Sequence, residues 1–295
     1  MTGFFTGLAT AMITPFDENG VNFEQFGRMI EYQIEGGADA LVILGTTGEP
    51  STMTDEEKVA VMEYSVKRVA RRAKVIFGTG GNCTANAVNA SVRAQKIGAD
   101  GLLVVTPYYN KCTQNGIVEY YKSVCAAVSI PVIAYNVPSR TGVNILPATA
   151  EKISHIPNLA GIKEACGNMA QICETMRRVR GRCDVFSGDD GLNIPILAIG
   201  GKGVISVAGN ICPALIKKVA TLTLEGELKE ANKLQDRLLP LIDACFIEVN
   251  PIPVKYGCCA IGFDAGIPRA PLTELEDEHK LAFDRALKGA GIEHI

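Results

Sequence analysis

The recurrence of short β-branched or apolar runs, each followed by a longer amphipathic stretch, constrains this chain more than any other feature. Eight such runs stand out: "GLATAMITP" (7–15), "ALVILGTTGE" (40–49), "KVIFGTG" (74–80), "GLLVVTPYY" (101–109), "PVIAYNVP" (131–138), "NLAGIKEA" (158–165), "CDVFSGDD" (183–190) and "GVISVAGN" (203–210). Strands covered by helices on both faces read as continuous apolar segments, so the alternation predicts repeated βα units and a parallel sheet. Eight units within about 210 residues fit a closed (β/α)8 TIM barrel, typically about 250 residues long, better than an open sheet. The intervening stretches predict helices over 22–36, 54–72 and 84–98, the second opened by "TDEEK", a Thr N-cap followed by early acids. Beyond residue 212 the strand pattern stops, and "ALIKKVATLTLEGELKEANKLQDRLLPLIDACF" predicts two helices broken near Gly226. The expected division of this α/β chain is therefore a barrel over 1–224 and a C-terminal helical extension over 225–295.

In such barrels the loops leaving the C-terminal strand ends build the functional site, so polar residues that close each apolar run are the candidates. They include Thr46, Thr47 and Glu49 after the second run, and Tyr108, Tyr109 and Asn110 after the fourth. Tyr135, Asn136 and Arg140 follow the fifth, Lys163 and Glu164 the sixth, and Ser187, Gly188, Asp189 and Asp190 the seventh. Strand alternation about Ile162 allows Lys163 to face the barrel mouth, where a partly desolvated amine becomes a nucleophile toward carbonyl carbon. A structural ion pair with Glu164 or another acid fits the same position equally well. Tyr135 can move protons during imine chemistry or serve as a core aromatic. Arg140 in "NVPSRTG" can take a carboxylate bidentately or lie on the surface.

Several function classes are excluded or disfavoured. A net charge of -3 with no long basic block offers no footprint for nucleic acid. The moderately apolar start lacks a basic n-region, and no run is long enough to span a bilayer, which predicts a cytoplasmic protein with no membrane association. Ten cysteines without a CxxC motif predict free thiols, and three dispersed histidines give no metal-ligand spacing. "GTTGE" lacks the GK[ST] ending of a P-loop, and "SGDDGLN" and "SVAGN" bring no cation to the usual barrel phosphate site. A small carboxylate suits the hydroxyls and amides of "GTTGE" better.

Six motifs, "GTTGE", "TPYYNK", "YNVPSRTG", "GIKEA", "SGDD" and "NPIPVK", run in this order between residues 45 and 255. With the opening "GLATAMITPF", they make the chain resemble the dihydrodipicolinate synthase family of pyruvate-dependent class I aldolases, a superfamily that also contains N-acetylneuraminate lyase. The resemblance implies a lyase that condenses pyruvate with L-aspartate 4-semialdehyde on the way to diaminopimelate and lysine. It implies a Schiff base between Lys163 and pyruvate, and a proton relay of Tyr135, Thr46 and Tyr109, with Tyr109 reaching into a neighbouring subunit's site. Thr47 and the backbone at Ile205 would hold pyruvate, Gly188 would lie near the substrate, and Arg140 would grip the carboxylate side of the semialdehyde. No metal or other cofactor is implied beyond the covalent imine, and the assembly implied is a homotetramer of two tight dimers.

Within the superfamily, "PSRTG" favours a short acidic partner over the polyol chain of a sugar acid. N-acetylneuraminate or 2-keto-3-deoxy sugar-acid cleavage is the alternative, and a pyruvate-binding sensor without turnover leaves the relay unexplained. Relatives inhibited by lysine carry polar and histidine residues where Pro50, Asp55, Lys58 and Asn86 stand here, although Asn82 and Tyr108 are retained. Weak or absent lysine inhibition is the expectation.

Overall fold

The computed structural model describes residues 3–294; Met1, Thr2 and Ile295, the outermost residues of the two expected segments, lie outside it. Eight parallel strands close into a barrel: β1 (Gly7–Ala11), β2 (Ala40–Ile43), β3 (Lys74–Gly78), β4 (Gly101–Val105), β5 (Val132–Asn136), β6 (Leu159–Glu164), β7 (Asp184–Ser187) and β8 (Gly203–Ser206). Each pairs with the next, and β8 returns to β1 with Ala9 opposite Ile205. Every apolar run of the sequence thus contains one barrel strand.

Between and after the strands lie α1 (Phe23–Glu35), α2 (Asp55–Val69), α3 (Thr84–Ile97), α4 (Gln114–Ala127), α5 (Pro138–Thr141), α6 (Pro147–Ile153), α7 (Met169–Val179), α8 (Asn193–Ala198) and α9 (Pro213–Leu224). Local signals set these boundaries. Asn22 accepts a hydrogen bond from the Gln25 N–H at the start of α1, and Phe26, Met29, Ile30 and Gln33 form its buried stripe. Helix α2 opens with a complete capping box between Thr54 and Glu57. Helix α3 stops at Gly98, whose φ of +113° is readily available to glycine.

Two apolar layers result. Leu8, Leu41, Leu102 and Ile162 face the helices, whereas Ala9, Ala11, Val42, Leu103, Ile133 and Phe186 fill the barrel interior. Helices α10 (Leu228–Ala244), α11 (Ile252–Ala260) and α12 (Asp277–Ala290) form the extension. The expected boundary at 224/225 falls in the turn between α9 and α10. Gln235 of α10 donates to the backbone carbonyl of Asp190, tying the extension to the loop after β7. A short hairpin, Phe16–Asp17 with Gly20–Val21, follows β1 and had no separate signal in the apolar pattern. All ten cysteines are free. No helix among the described residues is long and apolar enough to cross a membrane.

Candidate active site

Lys163 sits near the end of β6, 4% exposed, on the inward face of the strand. Alternation works here as anticipated: Ile162 packs toward the helices, and Lys163 and Tyr135 stand opposite each other in the β5–β6 register. The Lys163 ammonium is 4.2 Å from the centre of the Tyr135 ring. Burial brings the Lys163 pKa down to about 7; the Asp190 carboxylate opposes this shift and the Arg140 guanidinium adds to it. A substantial fraction of the amine is therefore neutral near physiological pH. Burial likewise raises the Tyr135 phenol to about 12, so it stays protonated and can donate.

Glu164 points away from Lys163 on the opposite face of β6. It is fully buried, and both carboxylate oxygens accept from Asn136 Nδ2, at 3.2 and 3.1 Å. Burial raises its pKa to about 7, against hydrogen bonds from Cys166 and Asn136 that lower it. The structural Lys163–Glu164 pair that the sequence left open is thus absent, because adjacent residues of one strand face opposite ways.

A cavity of about 650 Å³ opens above the lysine, and its wall includes Thr46, Thr47, Tyr135, Arg140, Lys163 and Gly188. Thr46 and Thr47 lie on a tight helical turn directly after β2. The Thr47 hydroxyl accepts from Asn250 Nδ2 at 2.9 Å, and Arg140, near the end of α5, donates to the Asn250 carbonyl at 3.1 Å. Gly188 leaves room for the lysine: a Cβ there would stand 2.7 Å from Lys163 Cε. Ile205 lies in the interior layer, 1% exposed. Asp190 accepts from the Val207 and Ala208 amides at 2.9 and 3.0 Å, which fixes the loop after β8.

Tyr109 stands apart. It does not line this cavity, its ring is 88% exposed, and its φ of +67° is unusual for a residue with a bulky side chain. Pro50, Lys58 and Tyr108 line a second cavity of about 390 Å³ on the other side of Thr46 and Tyr135, and Lys58 pairs with Asp55 at 3.4 Å.

Sequence reasoning passed over the contribution of the C-terminal extension. Phe246, Val249 and Asn250 complete the wall of the larger cavity. Lys255 pairs with Glu49 in full burial. A lysine inside the otherwise apolar "IPVKYG" was the available signal. His279 also meets a carboxylate that its sequence neighbourhood did not disclose: its Nδ1 is 2.7 Å from Glu248, whose carboxylate also accepts the Glu276 N–H.

The sequence model of the Dihydrodipicolinate synthetase family matches residues 4–290. The chain belongs to this family. It is 48% identical to the 4-hydroxy-tetrahydrodipicolinate synthase of Caldicellulosiruptor bescii over 98% of both chains. The crystal structure of dihydrodipicolinate synthase from Aquifex aeolicus superposes with a TM-score of 0.96 at 44% identity, covering 98% of this chain and 99% of that one. The chloride-inhibited enzyme of Acinetobacter baumannii, solved in complex with pyruvate, gives a TM-score of 0.95 at 37% identity, covering 97% and 99%. Membership accounts for the barrel and the helical extension together.

Proposed function

We propose that this family member is a 4-hydroxy-tetrahydrodipicolinate synthase, a lyase that condenses pyruvate with L-aspartate 4-semialdehyde through an imine on Lys163. The observation that carries this reading is a desolvated lysine at a barrel mouth, beside a protonated tyrosine and below a turn rich in hydroxyls. The near-full-length similarity to enzymes of that name, one of them solved with pyruvate, supports the choice of substrates.

The neutral Lys163 amine attacks the pyruvate ketone, and loss of water gives the iminium. That cation withdraws electrons from the adjacent methyl group, whose proton leaves to give the enamine. Tyr135, with Thr46 and Tyr109, shuttles the protons that these steps release and require. Thr47 and the backbone at Ile205 hold the pyruvate carboxylate, and Gly188 keeps the approach to Lys163 open. The enamine carbon attacks the aldehyde of aspartate semialdehyde, whose carboxylate pairs with Arg140. The semialdehyde's own amine then adds to the imine carbon and expels Lys163, closing the ring and regenerating the enzyme. The lysine thus does the work of a covalent cofactor, and no step calls for a metal or a nucleotide.

Tyr109 supports assembly as part of the site: an exposed tyrosine in a strained conformation suits a partner subunit, in the tight dimer of a homotetramer. With Pro50, Asp55 and Lys58 where lysine-sensitive relatives differ, micromolar lysine should leave the steady-state rate unchanged. The deciding experiment is borohydride reduction in the presence of pyruvate, followed by peptide mass spectrometry. A reduced pyruvate adduct on Lys163 is expected; a folded protein with none would overturn the reading. Substituting a sugar acid for the two substrates should give no turnover, and efficient cleavage would transfer the assignment to the lyases of the superfamily.

A further inference from the structure

The turn that carries Thr46 and Thr47 ends on Glu49, a non-glycine residue with φ of +55°. Side chains rarely adopt this conformation unless the surroundings impose it. Here the surroundings come from the C-terminal extension. Glu49 is 3% exposed; its Oε1 lies 2.8 Å from Lys255 Nζ, and its Oε2 accepts the Arg269 N–H at 2.8 Å. Lys255, on α11 and 1% exposed, also donates to the Ile267 carbonyl at 3.2 Å, and its ammonium stands 4.2 Å from the centre of the Phe16 ring. Burial pulls the Lys255 ammonium downward in pKa while the Glu49 carboxylate works against that shift.

A buried ion pair is a poor source of net stability, because the desolvation of both ions offsets much of their attraction. It is a stiff connection, because neither ion can leave the other without remaining buried alone. The same stretch of chain grips the turn a second time: Asn250, just before α11, donates to the Thr47 hydroxyl, and its carbonyl holds Arg140. Residues 250–255, outside the eight βα units, therefore touch the turn at Thr47 and at Glu49 and also hold Arg140 of the cavity wall.

We propose that the buried Glu49–Lys255 pair is a positioning device for the substrate clamp, fixing the Thr46–Thr47 turn to the C-terminal extension so that the Thr47 hydroxyl and the Arg140 guanidinium keep a set separation. The inference rests on the pyruvate reading of the site given above. Glu49 and Lys255 act through the turn and touch no reacting atom.

Glu49→Asp separates position from charge. Aspartate keeps the ion, tolerates the left-handed backbone better than glutamate, and shortens the reach by one methylene. The pyruvate concentration for half-maximal borohydride trapping, and the KM for pyruvate, should rise at least about tenfold while kcat at saturation stays within about threefold and the melting temperature changes little. Adding Lys255→Arg, with its longer side chain, should recover pyruvate affinity. The charge-free pair Glu49→Gln with Lys255→Met, which leaves no buried ion behind, should fold and show the same weakened pyruvate dependence. Unchanged pyruvate dependence in Glu49→Asp and in the charge-free pair, with or without a lower melting temperature, would overturn the proposal while leaving the pyruvate reading intact. Absence of a trapped adduct in the unaltered chain would overturn both.

Discussion

Lys163 illustrates how little chemistry a strand end needs when its surroundings do the tuning. A free lysine is almost wholly protonated at neutral pH, and the side chain reaches a pKa of about 7 here because burial disfavours the ammonium more than Asp190 stabilises it. The sign follows directly: below about pH 7 the amine is protonated and cannot attack, and above it the amine is free. Imine trapping should therefore slow about tenfold for each pH unit below that point and level off above it, measured as initial rates of adduct formation. Lys163→Ala should abolish trapping with the fold retained. Arg140 holds the Asn250 carbonyl at the cavity wall, so Arg140→Ala should raise the KM for aspartate semialdehyde at least about tenfold and affect pyruvate trapping far less. Equal loss of both activities would instead make Arg140 a structural support.

Strand β6 carries two ionisable groups on its two faces, and each feels burial in the opposite sense for its charge. The amine is pushed toward neutrality from above, and the Glu164 carboxyl is pushed toward neutrality from below. Glu164 binds a proton more tightly folded than unfolded, so its contribution to stability is fully present below about pH 4.5 and is lost as pH rises through about 7. The loss approaches about 3 kcal/mol on the alkaline side of that window. Glu164→Gln should remove this dependence, giving a flatter stability profile between pH 5 and pH 8 in denaturant titrations, read at about those values. A profile with the original slope would show that the carboxyl is already ionised in the fold. The inward aim of Lys163 was readable from alternation around Ile162, and the eight strands from the spacing of apolar runs, because both are local consequences of backbone geometry. Asn250 and Lys255 were visible as polar residues in an apolar stretch, but their partners were not readable: those contacts span some two hundred positions of chain, as in the Asn250–Thr47 hydrogen bond. The hairpin after β1 is likewise too short to leave a period.

The whole molecule gathers Thr46, Thr47, Tyr135, Arg140, Lys163 and Gly188 around one cavity and leaves Tyr109 outside it. Most connections in the barrel relieve unusual backbone with glycine, yet here a tyrosine holds a φ of +67° and presents an 88% exposed ring to solvent. Burying that ring in a neighbouring subunit would offset the strain with apolar contact and would bring the phenol to the other subunit's relay. In a two-fold dimer each site would then draw its lysine from one chain and this tyrosine from the other. Complementation between two inactive variants tests the arrangement. Lys163→Ala lacks the nucleophile and Tyr109→Phe lacks the donated hydroxyl, so each homodimer is impaired at both sites. A mixed dimer has one site with both defects and one with neither. Unfolding and refolding the two variants together in equal amounts should therefore restore about a quarter of the unaltered activity, since half of the dimers are mixed and half of their sites are intact. Recovery no greater than the sum of the two variants alone would place Tyr109 in its own chain's site, or in none.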